Sequence, residues 1–114
     1  MKVLGLIKNK KGDKIVYLDK DIYYFDERKI KNKCEIIINN KKYYVLGIKK
    51  SSDVSVLALD KEPIMYGSII ITGYNKKSIS GLSYEDVWLI KQQIKSYIDI
   101  DDKTFKSILT CKKA

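Results

Sequence analysis

Cys34-Glu35-Ile36-Ile37-Ile38-Asn39-Asn40-Lys41-Lys42-Tyr43-Tyr44-Val45-Leu46-Gly47-Ile48 is the stretch whose reading decides the fold class of this chain. Two runs rich in β-branched and aromatic residues flank a pair of asparagines, and asparagine tolerates the positive φ that a two-residue hairpin turn demands. The stretch reads as a β-hairpin. Side chains alternate across a strand, so Tyr43 and Tyr44 point to opposite faces. If one faces the core, the other is expected to be exposed among lysines.

Upstream, Val3 to Ile7 and Lys14 to Leu18 read as strands joined by the polar turn Asn9-Lys10-Lys11-Gly12-Asp13, with Ile22-Tyr23-Tyr24-Phe25 as a further apolar run. Downstream, Ser51-Ser52-Asp53 turns into a strand from Val54 to Leu59, Lys61-Glu62-Pro63 breaks it, and Ser68 to Tyr74 supplies another. At Gly81 the period changes. Ser83 suits an N-cap with Asp86 at the capping-box position, and Val87, Ile90, Ile94 and Tyr97 or Ile98 recur at helical spacing. Trp88, the sole tryptophan, is expected to pack between this helix and the sheet. Asp99 to Asp102 marks a fresh cap, and Phe105, Ile108 and Leu109 form the stripe of a shorter helix. The expected fold is mainly β with C-terminal helices (α+β): a strongly bent antiparallel sheet or small SH3-like barrel capped by one long and one short helix. The 114 residues are expected to form a single domain, β-rich and basic over 1–75 and helical over 83–110.

Charge is the most informative feature of the composition. The net charge is +9, and residues 1–50 hold 14 basic and 6 acidic side chains against 9 and 8 in residues 51–114. From Arg28 to Lys50, eight cationic residues face only Glu35. Arg28, Lys29, Lys31, Lys33, Lys41, Lys42, Lys49 and Lys50, with Tyr44 as a base-stacking residue, are therefore the expected nucleic-acid-binding residues. Arg28 is the only arginine. Lysine is a flexible point charge, so the pattern favours contact with the phosphate backbone over readout of base edges.

Absences narrow the chemistry. With no histidine in the chain, Ser-His-Asp and Cys-His sites and His-ligated zinc are excluded. Neither a Walker-type phosphate loop nor a G-x-G-x-x-G turn occurs. Asp99, Asp101 and Asp102 lack an EF-hand loop and read as helix caps. No catalytic residue, metal or cofactor is expected. Cys34 and Cys111 lack metal or redox spacing and read as reduced thiols of a cytoplasmic protein. Met1 to Ile7 is too short for a signal peptide's apolar region, and no stretch is long enough to span a bilayer. The two terminal helices, with Lys103, Lys106, Lys112 and Lys113 near the second, match a helix-turn-helix only in outline.

From about Lys41 to Ile100 the layout resembles the MazF/PemK family of ribonuclease toxins. The similarity is carried by Lys42-Tyr43-Tyr44-Val45-Leu46-Gly47-Ile48, by Val54-Ser55-Val56-Leu57-Ala58-Leu59, and by the run from Ile69 through Thr72-Gly73-Tyr74-Asn75-Lys76-Lys77 to Gly81-Leu82-Ser83-Tyr84-Glu85-Asp86. The resemblance implies a small SH3-like barrel, dimerisation, a protein antitoxin and cleavage of single-stranded RNA. The chain departs from the family where its chemistry lies. Lys42-Tyr43-Tyr44 stands where an Arg-Pro pair is expected, and Asp60 where a Ser or Thr is expected.

The reading from sequence is thus a small, basic, non-enzymatic nucleic-acid-binding protein that uses a lysine-rich hairpin region, forms a homodimer and derives from a mobile element. Its alternatives are a divergent endoribonuclease toxin of that family, and an inhibitor or adaptor that docks on an acidic protein.

Overall fold

The computed structural model describes residues 1–9, 11–19, 32–49, 55–98 and 105–114, with the side chains of 48, 49 and 105 left aside. The expected run Ile22 to Phe25, the turn Ser51 to Asp53 and the cap Asp99 to Asp102 lie outside the described residues.

Two hairpins frame the chain's first half. Strands β1 (Lys2–Ile7) and β2 (Lys14–Asp19) pair antiparallel, as do β3 (Asn32–Ile38) and β4 (Lys41–Lys49). Asn39 and Asn40 form the second turn at φ 51 and 62, the left-handed values that a two-residue turn requires. Next come β5 (Ser55–Leu59), β6 (Glu62–Tyr66), β7 (Ser68–Asn75) and the short β8 (Ser78–Ser80). Asp60-Lys61 and Lys76-Lys77 repeat the left-handed turn, with φ of 50 and 71, and 47 and 66. Lys61-Glu62-Pro63 was expected to end a strand, but the turn falls one residue earlier and Pro63 lies within β6. That position suits proline, because β6 is the last strand of the sheet order and a missing N–H is tolerated at an edge.

The C-terminal third corrects the expected fold. Among the described residues there is one helix, α1 (Tyr84–Gln93), where one long and one short helix were expected. Its start follows the sequence reading: Ser83 accepts from the Asp86 N–H at 3.1 Å, and Asp86 accepts from the Ser83 N–H at 2.9 Å. Its end does not. Ile94 is already extended (φ −83, ψ 121), and Ile94–Ile98 forms β9. The second expected helix is β10 (Phe105–Lys113), which pairs antiparallel with β9 and with β3 and parallel with β5. Short apolar runs such as Ile-Lys-Ser-Tyr-Ile and Ser-Ile-Leu-Thr-Cys satisfy either period. A ladder from the neighbouring β9 and two more from the distant β3 and β5 outweigh the local bonds of an isolated turn or two of helix.

The hydrogen-bonded order is β2-β1-β7-β4-β3-β10-β5-β6, with β8 on β7 and β9 on β10. Among the described residues this path runs between two end strands, β2 and β6. Its main core, on the face covered by α1, includes Leu4, Leu6, Ile36, Tyr43, Val45, Leu57, Ile69, Ile71, Ile90 and Leu109, all essentially inaccessible. A second cluster of Val3, Tyr44, Leu46 and Ile70 lies on the opposite face, with Tyr74, Leu18 and Ile79 packed against it. Trp88 belongs to neither cluster. It is 61% exposed, contrary to the core position expected, because Val87 and Ile90 supply the buried side of α1.

Two polar centres tie the elements together. Lys8 Nζ lies 2.6 Å from Asp13 Oδ2, both side chains nearly inaccessible; Lys8 Nζ also donates to the Ser107 carbonyl, and the Ser107 N–H donates to Asp13. The turn between β1 and β2 is thereby fastened to β10. At the second centre Asp86 Oδ1 accepts from Lys41 Nζ and from the Tyr43 hydroxyl, each at 2.7 Å.

Candidate polyanion-binding surface

Strand register gathers lysines that are far apart in sequence. Lys33 faces Leu46 across the β3–β4 ladder, and Ile37 faces both Lys42 on β4 and Lys112 on β10. Because opposed residues share a face, Lys33, Lys42 and Lys112 lie on the side of the sheet that carries the second cluster, away from α1. All three are exposed. Lys76 and Lys77 are exposed at the β7–β8 turn, whose Lys77 carbonyl accepts from the Tyr44 hydroxyl at 3.1 Å. Glu35 is the acidic residue among the described positions of β3 and β4.

Beneath the ammonium groups lies an aromatic floor. Lys33 Nζ is 4.3 Å from the centroid of the Tyr44 ring and Lys42 Nζ is 5.5 Å from that of Tyr74. The two rings are themselves 4.9 Å apart and tilted by 43°. Such cation–π contacts contribute about 0.5–1 kcal/mol each at exposed sites, and they hold flexible lysine stems in defined positions. Burial, and then the neighbouring Tyr74 and Glu35, push the Tyr44 hydroxyl above its ordinary range, so it stays a neutral donor.

The expected site residues divide accordingly. Lys33 and Lys42 stand together. Lys41 does not join them: it follows the turn on the opposite face, and its ammonium is engaged by Asp86. Tyr44 is 3% exposed, so the expectation that one tyrosine of the pair is open to solvent fails. The sheet is covered on both faces here, and Tyr44 serves as floor beneath Lys33. Lys49 pairs through its backbone with Ser68, while its side chain, with Arg28, Lys29, Lys31 and Lys50, lies outside the described residues. Lys112, Lys76, Lys77 and Tyr74 were not among the expected residues. The β-branched content of the segment around Lys112 was the available signal for the strand that places it.

Burial alone would raise the Asp86 carboxyl, but hydrogen bonds from Lys41, the Ser83 backbone and hydroxyl, and Tyr43 outweigh it and bring it down to about 2. Burial foremost, and then Asp86, push the Tyr43 phenol well above its usual range. The arrangement is a structural latch between hairpin and helix. Both cysteines are free thiols; burial pushes Cys111 up to about 12 and raises Cys34. Among the described residues no group of His, Cys, Asp and Glu is arranged to hold a metal, and no helix is long and apolar enough to cross a membrane. Asp60, at the position where the toxin resemblance would put a Ser or Thr, occupies the β5–β6 turn and donates its N–H to the Cys111 carbonyl at 3.1 Å. No protein-family model, curated protein or solved structure matches the chain.

Proposed function

We propose that this protein binds nucleic acid without altering it, through phosphate contacts from the lysine-bearing face of β3, β4 and β10. The observation that carries the reading is the convergence of Lys33, Lys42 and Lys112 on one face, with Glu35 as the acid among the described residues of the two central strands. A surface of this kind concentrates polyanions and releases their counterions on binding. Lysine over arginine favours contact with the backbone rather than with particular bases. The reading places the protein in the cytoplasm, where its two thiols stay reduced.

The test is binding to labelled nucleic acid across a salt series, with the products run on a denaturing gel. Salt-dependent binding that is lost in a Lys33→Ala, Lys42→Ala, Lys112→Ala variant, with the nucleic acid intact, is the expected result. Cut RNA would redirect the assignment to the ribonuclease toxins, and binding to an acidic protein alone would redirect it to an adaptor.

A further inference from the structure

We infer that the ligand of this surface is double-stranded nucleic acid, held by phosphates of both strands across a groove, an inference that rests on the polyanion reading above. Single-strand binding without sequence preference depends on open aromatic rings that stack successive bases. Beneath Lys33 and Lys42 the rings are closed. Tyr44 is 3% exposed and lies under Lys33, and Tyr74 is half-buried under Lys42. What the surface offers instead is a two-dimensional array of charge. Lys42 and Lys112 flank Ile37 on adjacent strands, about 10 Å apart at the backbone, and Lys33 lies four residues along β3 from Ile37, about 13 Å away. A single strand presents one line of phosphates, whereas a duplex presents two, bordering grooves about 12 Å and about 6 Å wide. A triangle of cations on this scale meets both lines.

The two most exposed aromatic rings among the described residues are elsewhere, on α1, while Tyr66 and Tyr97 are open to a lesser degree, 47% and 43%. Tyr84 is 86% and Trp88 61% exposed on α1, with Tyr17 stacked 6.5 Å from Tyr84. They share their surroundings with Glu85, the residue beside Tyr84, and with Asp19, which pairs with Lys2 and the N-terminal ammonium. There the two carboxylates offset the two cations, so the rings are not set in an array of lysines such as the face of β3, β4 and β10 carries.

The experiment is fluorescence anisotropy with DNA and RNA duplexes and with their separated strands, across a salt series. The proteins are the unaltered chain, the Lys33→Ala, Lys42→Ala, Lys112→Ala variant, the matching Lys→Arg variant and a Tyr84→Ala, Trp88→Ala variant. Duplex is expected to bind about tenfold or more tighter than single strand, whatever its sequence. The slope of log K against log salt is expected to fall by roughly 2.7 in the alanine variant, which is about 40-fold between about 50 and about 200 mM salt. The arginine variant is expected to retain binding, which separates charge from folding, and the aromatic variant to bind as the unaltered protein does. Equal or tighter binding of single strands, or loss of binding in the aromatic variant, overturns the duplex inference and leaves the polyanion reading standing. Failure of the unaltered protein to bind either polymer overturns the polyanion reading itself.

Discussion

Asp86 is where hairpin, helix start and charge meet, and its removal is the perturbation with the best-defined cost. The carboxyl sits at about 2 instead of the ordinary 3.8, a difference worth roughly 2 kcal/mol of native-state stability by linkage. The sign follows from the depression: the contribution is fully present above the ordinary carboxylate value and is lost as pH falls from about 4 toward about 2. Asp86→Ala would also leave the buried Tyr43 hydroxyl without its acceptor, which costs a further 1–2 kcal/mol or so. A total loss of about 3–4 kcal/mol is therefore expected near neutral pH. Asp86→Asn, which keeps an acceptor but no charge, should lose about 2 kcal/mol. Urea denaturation near pH 7 and near pH 2.5, with the slope checked for constancy, measures both. The difference between the unaltered protein and Asp86→Asn should shrink sharply at the lower pH. Parallel stability curves for the two at all pH values, or a loss under about 1 kcal/mol for Asp86→Ala, would refute the latch.

Three further outcomes are expected. Asp13→Ala or Lys8→Ala alone should cost about 3–5 kcal/mol by stranding a buried charge, whereas an apolar double replacement such as Lys8→Met with Asp13→Leu should cost less, as a denaturant double-mutant cycle would show. Cys34 and Cys111 should react slowly with a thiol reagent near neutral pH in the folded protein and fast in denaturant; rapid labelling of the native protein would contradict their burial. Trp88 fluorescence should show solvent-like emission and ready quenching by acrylamide before unfolding, and a blue-shifted, protected signal would place it in the core after all.

The β-hairpin at Asn39-Asn40 and the capping box at Ser83 and Asp86 were legible in the sequence because each depends on residues within a few positions. Left-handed turn backbone needs residues that tolerate it, and a cap needs a hydroxyl and a carboxylate three residues apart. The regional excess of positive charge was equally plain. Hidden from the sequence was everything set by distant partners. Ile94 to Ile98 and Phe105 to Lys113 carry apolar spacings compatible with helix, and the ladders between them and from β3 and β5 make both strands. That pairing moves Lys112 beside Lys42, while alternation about the turn sends Lys41 to Asp86 on the other face. Tyr44 was read as exposed because one face of a sheet is ordinarily solvated; here a second cluster covers it. The sequence by itself determined local conformation and net charge. Tertiary structure decided which lysines share a surface, since a strand's face and neighbours follow from register with residues remote in the chain.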